Sequence, residues 1–149
     1  PVWTSAHAPE PSHRAHPKPR RILCALDLKP ESQQTLDAAI ALAKDAGATL
    51  EIVTVPAETV SPEAAGRHLE NLLLQTERAQ LVEVQVATPA AAEPTGGEGS
   101  IAEMVRNLAL SKRADLVVIG RGAIKQGFGR MQSHAYEIIR ESPCPVVSV

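Results

Sequence analysis

A glycine-rich loop follows an apolar strand pattern near the end of the chain, and this segment is the one best suited to hold an anion. Leu116–Ile119 is an unbroken apolar run, which is typical of a strand buried on both faces. It continues into Gly120-Arg121-Gly122, and glycines let main-chain N–H groups approach a ligand closely. Ser133 stands where the next helix is predicted to begin, so its hydroxyl and the free amides of the first turn would face the loop. The pattern fits a phosphate site, and it also fits a plain strand-to-helix turn that needs glycine torsions.

An acid occupies the corresponding place after the first strand of the domain. Ile22–Leu26 reads as a buried strand, and Asp27 follows it directly. An aspartate there could bond a ribose hydroxyl or hold a metal-bound phosphate, and it could instead cap the loop before Pro30. No second carboxylate or histidine has a sequence-evident reason to join it. The chain also lacks a Walker Gly-Lys-Ser/Thr motif. We therefore expect no catalytic centre and no enzymatic activity.

The elements that must position these residues alternate along the chain. From Arg21 onward, five strand patterns are separated by four helical patterns, an order that makes a parallel sheet with helices on both faces. Leu81–Ala87 alternates polar and apolar side chains, which predicts a strand at the sheet edge. We predict an α/β, Rossmann-like fold with an open-twisted five-stranded parallel sheet in the order 3-2-1-4-5. In such sheets ligands bind beyond the carboxyl ends of the strands, where the strand order reverses. The first helix is predicted to bury one apolar stripe, made of Leu36, Ala39, Ile40 and Ala43.

The composition excludes nucleic acid as a partner. The chain has 149 residues, of which 44% are hydrophobic, which suits one α/β domain with a full core. The formal net charge is -2, and the 15 basic and 17 acidic side chains are spread along the sequence, so no basic face is evident to neutralise a phosphate backbone. Trp3, Phe128 and Tyr136 are the whole aromatic set, too few for a platform on which bases stack.

The sequence also gives no sign of a membrane segment or of a metal site. No apolar run approaches the roughly 18 to 20 residues that cross a bilayer, and no signal-peptide pattern is present, so we expect a cytoplasmic protein. Residues 1–20 form a proline- and histidine-rich tail or linker before a domain over residues 21–149. The three histidines of that tail have no rigid frame, so we expect no bound metal. Cys24 and Cys144 are expected to stay reduced, because another strand should separate theirs.

Three separated segments carry a family resemblance. Ile22–Asp27, Ala114–Gly120 and Ser142–Val147, in this order, look like the universal stress protein family, and the resemblance covers about residues 21–149. The resemblance implies the open-twisted five-stranded fold, a role in stress response and a homodimer made by antiparallel pairing of the last strands. For one subgroup of the family, the resemblance also implies a site for ATP.

The ATP-binding subgroup has the pattern Gly-x2-Gly-x9-Gly-Ser/Thr, and this chain departs from it. One residue is missing between the first two glycines, and Gln132 stands in place of the third. A side chain at that position is tolerated only if the backbone keeps a negative φ. The nucleotide-binding residues that the resemblance implies are Ala25 and Asp27 at the first strand's end, Val55 beside the adenine, and Gly120, Gly122, Gln132 and Ser133 around ribose and phosphates.

Two functions remain open from the sequence. The first is a module that binds ATP, with Mg²⁺, or a related adenine nucleotide and acts by binding and dimerisation. The second is a dimeric stress-response interaction module that binds no nucleotide.

The start of the chain resembles its end. Pro1-Val2-Trp3-Thr4 repeats the pattern of Pro145-Val146-Val147-Ser148. We expect from this echo that the chain is the C-terminal half of a tandem protein whose first half ends at Thr4. A strand at this position could pair with an exposed sheet edge.

Overall fold

The computed structural model of the chain describes residues 2–4, 18–27, 29, 31–54, 62–76, 84–87, 101–120 and 134–149. Over these ranges the chain forms strands that alternate with helices. The strands are β1 (Val2–Thr4), β2 (Arg21–Leu26), β3 (Thr49–Thr54), β4 (Val84–Ala87), β5 (Leu116–Ile119) and β6 (Val146–Ser148). The helices are α1 (Ser32–Ala46), α2 (Pro62–Gln75), α3 (Ile101–Ser111) and α4 (His134–Glu141).

The strands form one sheet in the order β1-β6-β5-β2-β3-β4. The neighbouring pairs among β2 to β6 are parallel, whereas β1 pairs antiparallel with β6. The predicted α/β class, with a parallel sheet and helices, is confirmed. Numbered along the chain from β2, the parallel strands run 3-2-1-4-5 from the β4 edge to β6. The predicted total of five strands is wrong for the sheet as a whole, because β1 adds a sixth and three residues are too few to show a periodic pattern.

Helices cover both faces of the sheet, and each face has its own apolar cluster. Alternate residues of β2 point to opposite faces, as a pleated strand requires. Ile22, Cys24 and Leu26 pack in the cluster that contains α1 and α2, whereas Leu23 and Ala25 pack in the cluster that contains α3 and α4. The predicted buried stripe of α1 is confirmed, since each of its members is at most 1% exposed: Leu36, Ala39, Ile40 and Ala43.

A left-handed glycine ends α1 and directs the chain into β3. Gly47 has φ 65° and ψ 38°, a conformation that glycine adopts without a Cβ penalty. Its N–H donates to the Lys44 carbonyl at 3.2 Å, and the Ala48 N–H donates to the Ala43 carbonyl at 2.8 Å. This Schellman pattern satisfies the last carbonyls of the helix. The Thr49 N–H then donates to the Arg20 carbonyl at 2.9 Å and starts β3 beside β2.

Asp115 holds the amino-terminal ends of β2 and β5 together. Its Oδ2 accepts hydrogen bonds from the backbone N–H groups of Arg20 at 2.8 Å and Arg21 at 3.1 Å. Its own N–H donates to the Arg21 carbonyl at 2.9 Å. These bonds fix the register in which Ala25 lies opposite Ile119 at the other end of the two strands.

The start of the chain joins the sheet. The expectation that this segment pairs with an exposed edge is confirmed by β1, whose partner is β6 of the same chain. The predicted tail or linker therefore contains a strand. Residues 5–17, including the three tail histidines, lie outside the described part of the chain.

Both cysteines are free thiols. Cys24 lies in β2 and Cys144 lies two residues before β6, so β5 separates their strands as predicted. Burial raises the pKa of the Cys24 thiol to about 12. Burial also raises the pKa of the half-buried Cys144, against the hydrogen bond from Ser142 that lowers it. Among the described helices, none combines the length and the apolar character that crossing a membrane requires.

Candidate functional site

The carboxyl ends of three parallel strands meet at one edge of the sheet. Leu26, the last residue of β2, pairs with Thr54, the last residue of β3. On the other side of β2, Ala25 pairs with Ile119, the last residue of β5. The residues that follow β2 and β5, Asp27 and Gly120, therefore leave the sheet at the same edge.

The strand order reverses between β2 and β5. From β2 the chain passes through α1 to β3 on one side, whereas β5 lies on the other side. Residues of α1 and α2 pack on one face of the sheet, and residues of α3 and α4 pack on the opposite face. Connections that leave in opposite directions open a crevice between the ends of the two strands, which is the usual ligand position in sheets of this kind.

Asp27 organises the turn between β2 and α1. Its Oδ1 accepts a hydrogen bond from the Lys29 N–H at 3.3 Å and another from the Ser32 hydroxyl at 3.0 Å. Its Oδ2 lies 2.7 Å from the Lys29 ammonium. Ser32 is the first residue of α1 and is only 3% exposed, so the carboxylate satisfies a buried hydroxyl at the start of that helix. The loop-capping role considered for Asp27 is thus present in the structure.

The same contacts hold Asp27 in its charged form. Partial burial opposes ionisation, but the hydrogen bonds from Lys29 and Ser32 and the nearby ammonium outweigh it, so the pKa of Asp27 falls below its ordinary value. The carboxylate side chain remains 42% exposed and that of Lys29 55% exposed. An anionic acceptor and a cation therefore reach solvent together at the end of β2.

Two further predicted site residues lie at this edge. Ala25 is 8% exposed and packs in the cluster beneath α3 and α4. Gly120 directly follows β5 and is half-buried. Alanine has a small side chain and glycine has none.

The remaining predicted site residues lie outside the described part of the chain, and their roles stay predictions: Val55, Gly122, Gln132 and Ser133. The structure therefore brings together Ala25, Asp27 and Gly120, from two adjacent strands. α4 begins at His134, directly after Ser133, as the predicted helix start requires.

Two residues that surround Asp27 were not predicted from the sequence; with Asp27 they form a polar cluster. Lys29 and Ser32 both contact Asp27. Both lie close to Asp27 in the sequence. A lysine two positions after an aspartate, and a serine five positions after it, fit a carboxylate that faces the start of a helix. The cluster offers an acceptor, a cation and a hydroxyl, which suits recognition of polar groups. In the ranges that the structure describes, no group of three or more His, Cys, Asp or Glu side chains could hold a metal ion.

A separate cleft of about 380 Å³ opens at the opposite, amino-terminal edge of the sheet. Its charged side chains already have partners within the chain. The Lys112 ammonium lies 3.2 Å from Glu51 Oε1, and the Arg21 guanidinium donates to the Lys112 carbonyl at 3.2 Å. This cleft lies away from the strand ends at which ligands of doubly wound sheets bind.

Comparison with known proteins identifies the family. The universal stress protein family model matches residues 18–149. No curated protein sequence matches the chain significantly.

Several solved structures share the fold. A universal stress protein in complex with cAMP is 22% identical, with a TM-score of 0.65 over 89% of this chain and 97% of that one. A protein of the family from Burkholderia pseudomallei is 25% identical, with a TM-score of 0.58 over 87% and 94% of the two chains. The universal stress protein from Archaeoglobus fulgidus in complex with dAMP is 20% identical, with a TM-score of 0.61 over 87% and 96%.

The family model spans nearly the whole described fold, from the residues just before β2 to the end of the chain after β6. It includes both strands whose ends form the site described above, and of the strands that the structure describes only β1 lies outside it. The chain therefore belongs to the universal stress protein family.

Proposed function

We propose that this protein binds an adenine nucleotide at the carboxyl edge of its sheet and acts in stress response by binding, without turning the nucleotide over. The observation that carries the proposal is the position of Asp27 and Gly120, which leave adjacent strands where the strand order reverses. Two proteins of similar fold, one in complex with cAMP and one with dAMP, support adenine nucleotides as the ligand class.

Asp27 is the residue that we propose for the nucleoside. A ribose hydroxyl can donate to a carboxylate oxygen, and such a charge-assisted hydrogen bond is stronger than a neutral one. The Lys29 ammonium, 2.7 Å from Oδ2, holds that oxygen at the solvent-facing side of the turn. On binding, a ribose hydroxyl would share or replace this contact, which is possible because the Lys29 side chain is 55% exposed.

Gly120 and the residues after it are proposed to contact the phosphates. Main-chain N–H groups in a glycine-containing turn can form a concave anion site. Gly122, Gln132 and Ser133 keep the roles that the family resemblance implies, with ATP and Mg²⁺ as the complete ligand. We propose binding alone and no catalytic step.

Equilibrium binding tests the proposal. Titration calorimetry with ATP and Mg²⁺, AMP and cAMP should detect binding of at least one of them to the whole chain. Asp27→Asn should weaken that binding by roughly 10- to 100-fold, because a hydrogen bond to a charged group contributes about 1.5 to 3 kcal/mol. Asp45→Asn, which changes an exposed aspartate near the other end of α1, should leave the affinity unchanged.

The absence of binding by all three nucleotides at millimolar concentration would contradict the proposal. The second candidate, an interaction module without nucleotide, would then be favoured. The observation that favours this second candidate is the departure from the glycine pattern of the ATP-binding subgroup. One residue is missing between Gly120 and Gly122, and Gln132 replaces a glycine.

A further inference from the structure

An ion pair occupies the carboxylate that is proposed to hold the ribose. The Lys29 ammonium lies 2.7 Å from Asp27 Oδ2, and both side chains are partly exposed. Both residues belong to the short connection between β2 and α1. A ligand hydroxyl that approaches Oδ2 therefore meets the ammonium at the same place.

The two oxygens of the Asp27 carboxylate have different partners. Oδ1 accepts hydrogen bonds from the Lys29 N–H and the Ser32 hydroxyl. Neither donor is part of the Lys29 side chain, so both bonds persist when the ammonium moves. Oδ2 faces the ammonium itself. The carboxylate can therefore keep its position while Oδ2 exchanges the ammonium for a ligand hydroxyl.

This exchange is unequal for ligands with and without a phosphate. A nucleoside that takes Oδ2 leaves the ammonium without its partner, and the loss of an exposed ion pair lowers the affinity by about 2- to 5-fold. A nucleotide offers the ammonium a phosphate instead, with up to about two negative charges and three acceptor oxygens. A charge-assisted hydrogen bond to such a group raises the affinity by roughly 10- to 100-fold. The phosphate contact therefore outweighs the broken ion pair.

We propose that Lys29 selects phosphorylated ligands at this site: its ammonium leaves Asp27 Oδ2 when a ribose hydroxyl binds there, and it then binds the phosphate of the same nucleotide. This selection rests on the proposed function, and it adds that adenosine without a phosphate is a poor ligand.

The Lys29 side chain can make this move. The 5′-phosphate of AMP is attached to the sugar whose hydroxyl would bond to Oδ2, so both groups of the ligand lie close to the position of the ammonium. Lysine carries its charge on a flexible stem of four carbons, and the Lys29 side chain is more than half exposed, so little packing holds it in one rotamer. Rotation of the side chain alone then transfers the ammonium from the carboxylate to the phosphate.

Calorimetric titration of the full chain with adenosine and with AMP tests the selection, because these two ligands differ by one phosphate. Lys29→Met keeps a side chain of similar length and removes the charge, while the backbone N–H of residue 29 still bonds to Asp27. The variant should bind AMP more weakly and adenosine about 2- to 5-fold more tightly. The ratio of AMP affinity to adenosine affinity should thus fall by about 10- to 100-fold. Lys29→Arg keeps a cation in place and should retain most of the preference for AMP.

Lys44→Met is the matched control, because Lys44 is an exposed lysine in the last turn of α1, at the other end of the helix. It changes the net charge of the chain by the same amount, and it should leave both affinities unchanged. Circular dichroism should show each variant folded.

Two results would overturn the selection by Lys29 while the proposed function stands. One is an unchanged ratio of AMP affinity to adenosine affinity in Lys29→Met, which would mean that Lys29 only supports the turn. The other is a loss of AMP affinity in Lys44→Met as large as that in Lys29→Met, which would mean that the charge acts at long range. If AMP, cAMP and ATP with Mg²⁺ all fail to bind to the unaltered chain, the proposed function fails and the selection fails with it.

Discussion

Asp27 shows how one side chain can serve the fold and remain available to a ligand. Its carboxylate satisfies the buried Ser32 hydroxyl and the Lys29 N–H, yet the side chain is 42% exposed at the edge where strand ends meet. Apolar burial fixes the strand before it, and hydrogen bonds fix the turn after it. A ligand that approaches this edge meets a charged acceptor already held in place.

The charge of Asp27 should make a small, pH-dependent contribution to stability. Because the folded pKa lies below the ordinary value of 3.8, the contribution is present above that value and is lost as the pH falls through the folded pKa. Asp27→Asn should therefore lower the free energy of unfolding at pH 7 by about 0.5 kcal/mol, a value reduced by solvent exposure. Urea unfolding at a series of pH values measures it.

At a pH below the folded pKa, the Asp27→Asn variant and the unaltered chain should unfold alike. A loss of the same size at every pH would show that the shape of the side chain matters and its charge does not. Asp45→Asn serves as the control, since an acid in the last turn of α1 opposes the helix dipole and its neutralisation should cost nothing at pH 7.

At the residue scale, the sequence predicts positions better than partners. Asp27 and Gly120 were identified because each follows an apolar run. A strand that is buried on both faces consists of such a run, so its end can be read from the sequence. The contacts of Asp27 with Lys29 and Ser32 depend on side-chain rotamers in a short turn, which no periodic pattern encodes. Asp115 was missed for the same reason, although its carboxylate bridges two backbone N–H groups of the segment that starts β2.

At the scale of elements, the same substitution can be compared at two glycines, one that caps a helix and one that lies inside a helix. Gly47 holds the left-handed cap of α1 at φ 65°, whereas Gly66 lies inside α2 with nothing within 4 Å of an added Cβ. Gly47→Ala should lower the free energy of unfolding by about 1 kcal/mol, because a Cβ is strained in the left-handed region. Gly66→Ala should raise it by about 0.5 to 1 kcal/mol, because alanine is the better helix former.

Urea denaturation of the two variants provides the comparison, with the same substitution and hence the same added methyl group. Equal effects of the same sign would contradict the left-handed cap at Gly47 or the helical position of Gly66.

Elements with a long periodic pattern follow from the sequence, and the shortest one does not. The stripe of α1 was predicted because a helix that packs on a sheet must bury one face. β4 was predicted at an edge from its alternation, and it lies there. β1 has only three residues, so nothing in its own pattern says that it joins the sheet. What indicated it was its likeness to the end of the chain, from which pairing with an exposed sheet edge was expected; that its partner is β6 was not predicted.

At the scale of the whole molecule, the carboxyl ends of β2 and β5 and the lateral edge of β6 are two separate places on the sheet. The strand order reverses between β2 and β5, which is where sheets of this kind usually bind ligands, whereas β1 pairs along the lateral edge of β6. Family membership is established over residues 18–149.

An adenine nucleotide that binds, as proposed, at the carboxyl ends of β2 and β5 must change the surroundings of the backbone amides there. A titration of the ¹⁵N-labelled chain with ATP and Mg²⁺, followed by the shifts of backbone amide resonances, tests it most directly. The amides of Asp27, Lys29 and Gly120 should shift together and saturate, while those of Arg21 and Ser111 at the opposite cleft should stay in place. Saturating nucleotide that leaves the first three unmoved, or that moves the opposite cleft instead, would contradict it.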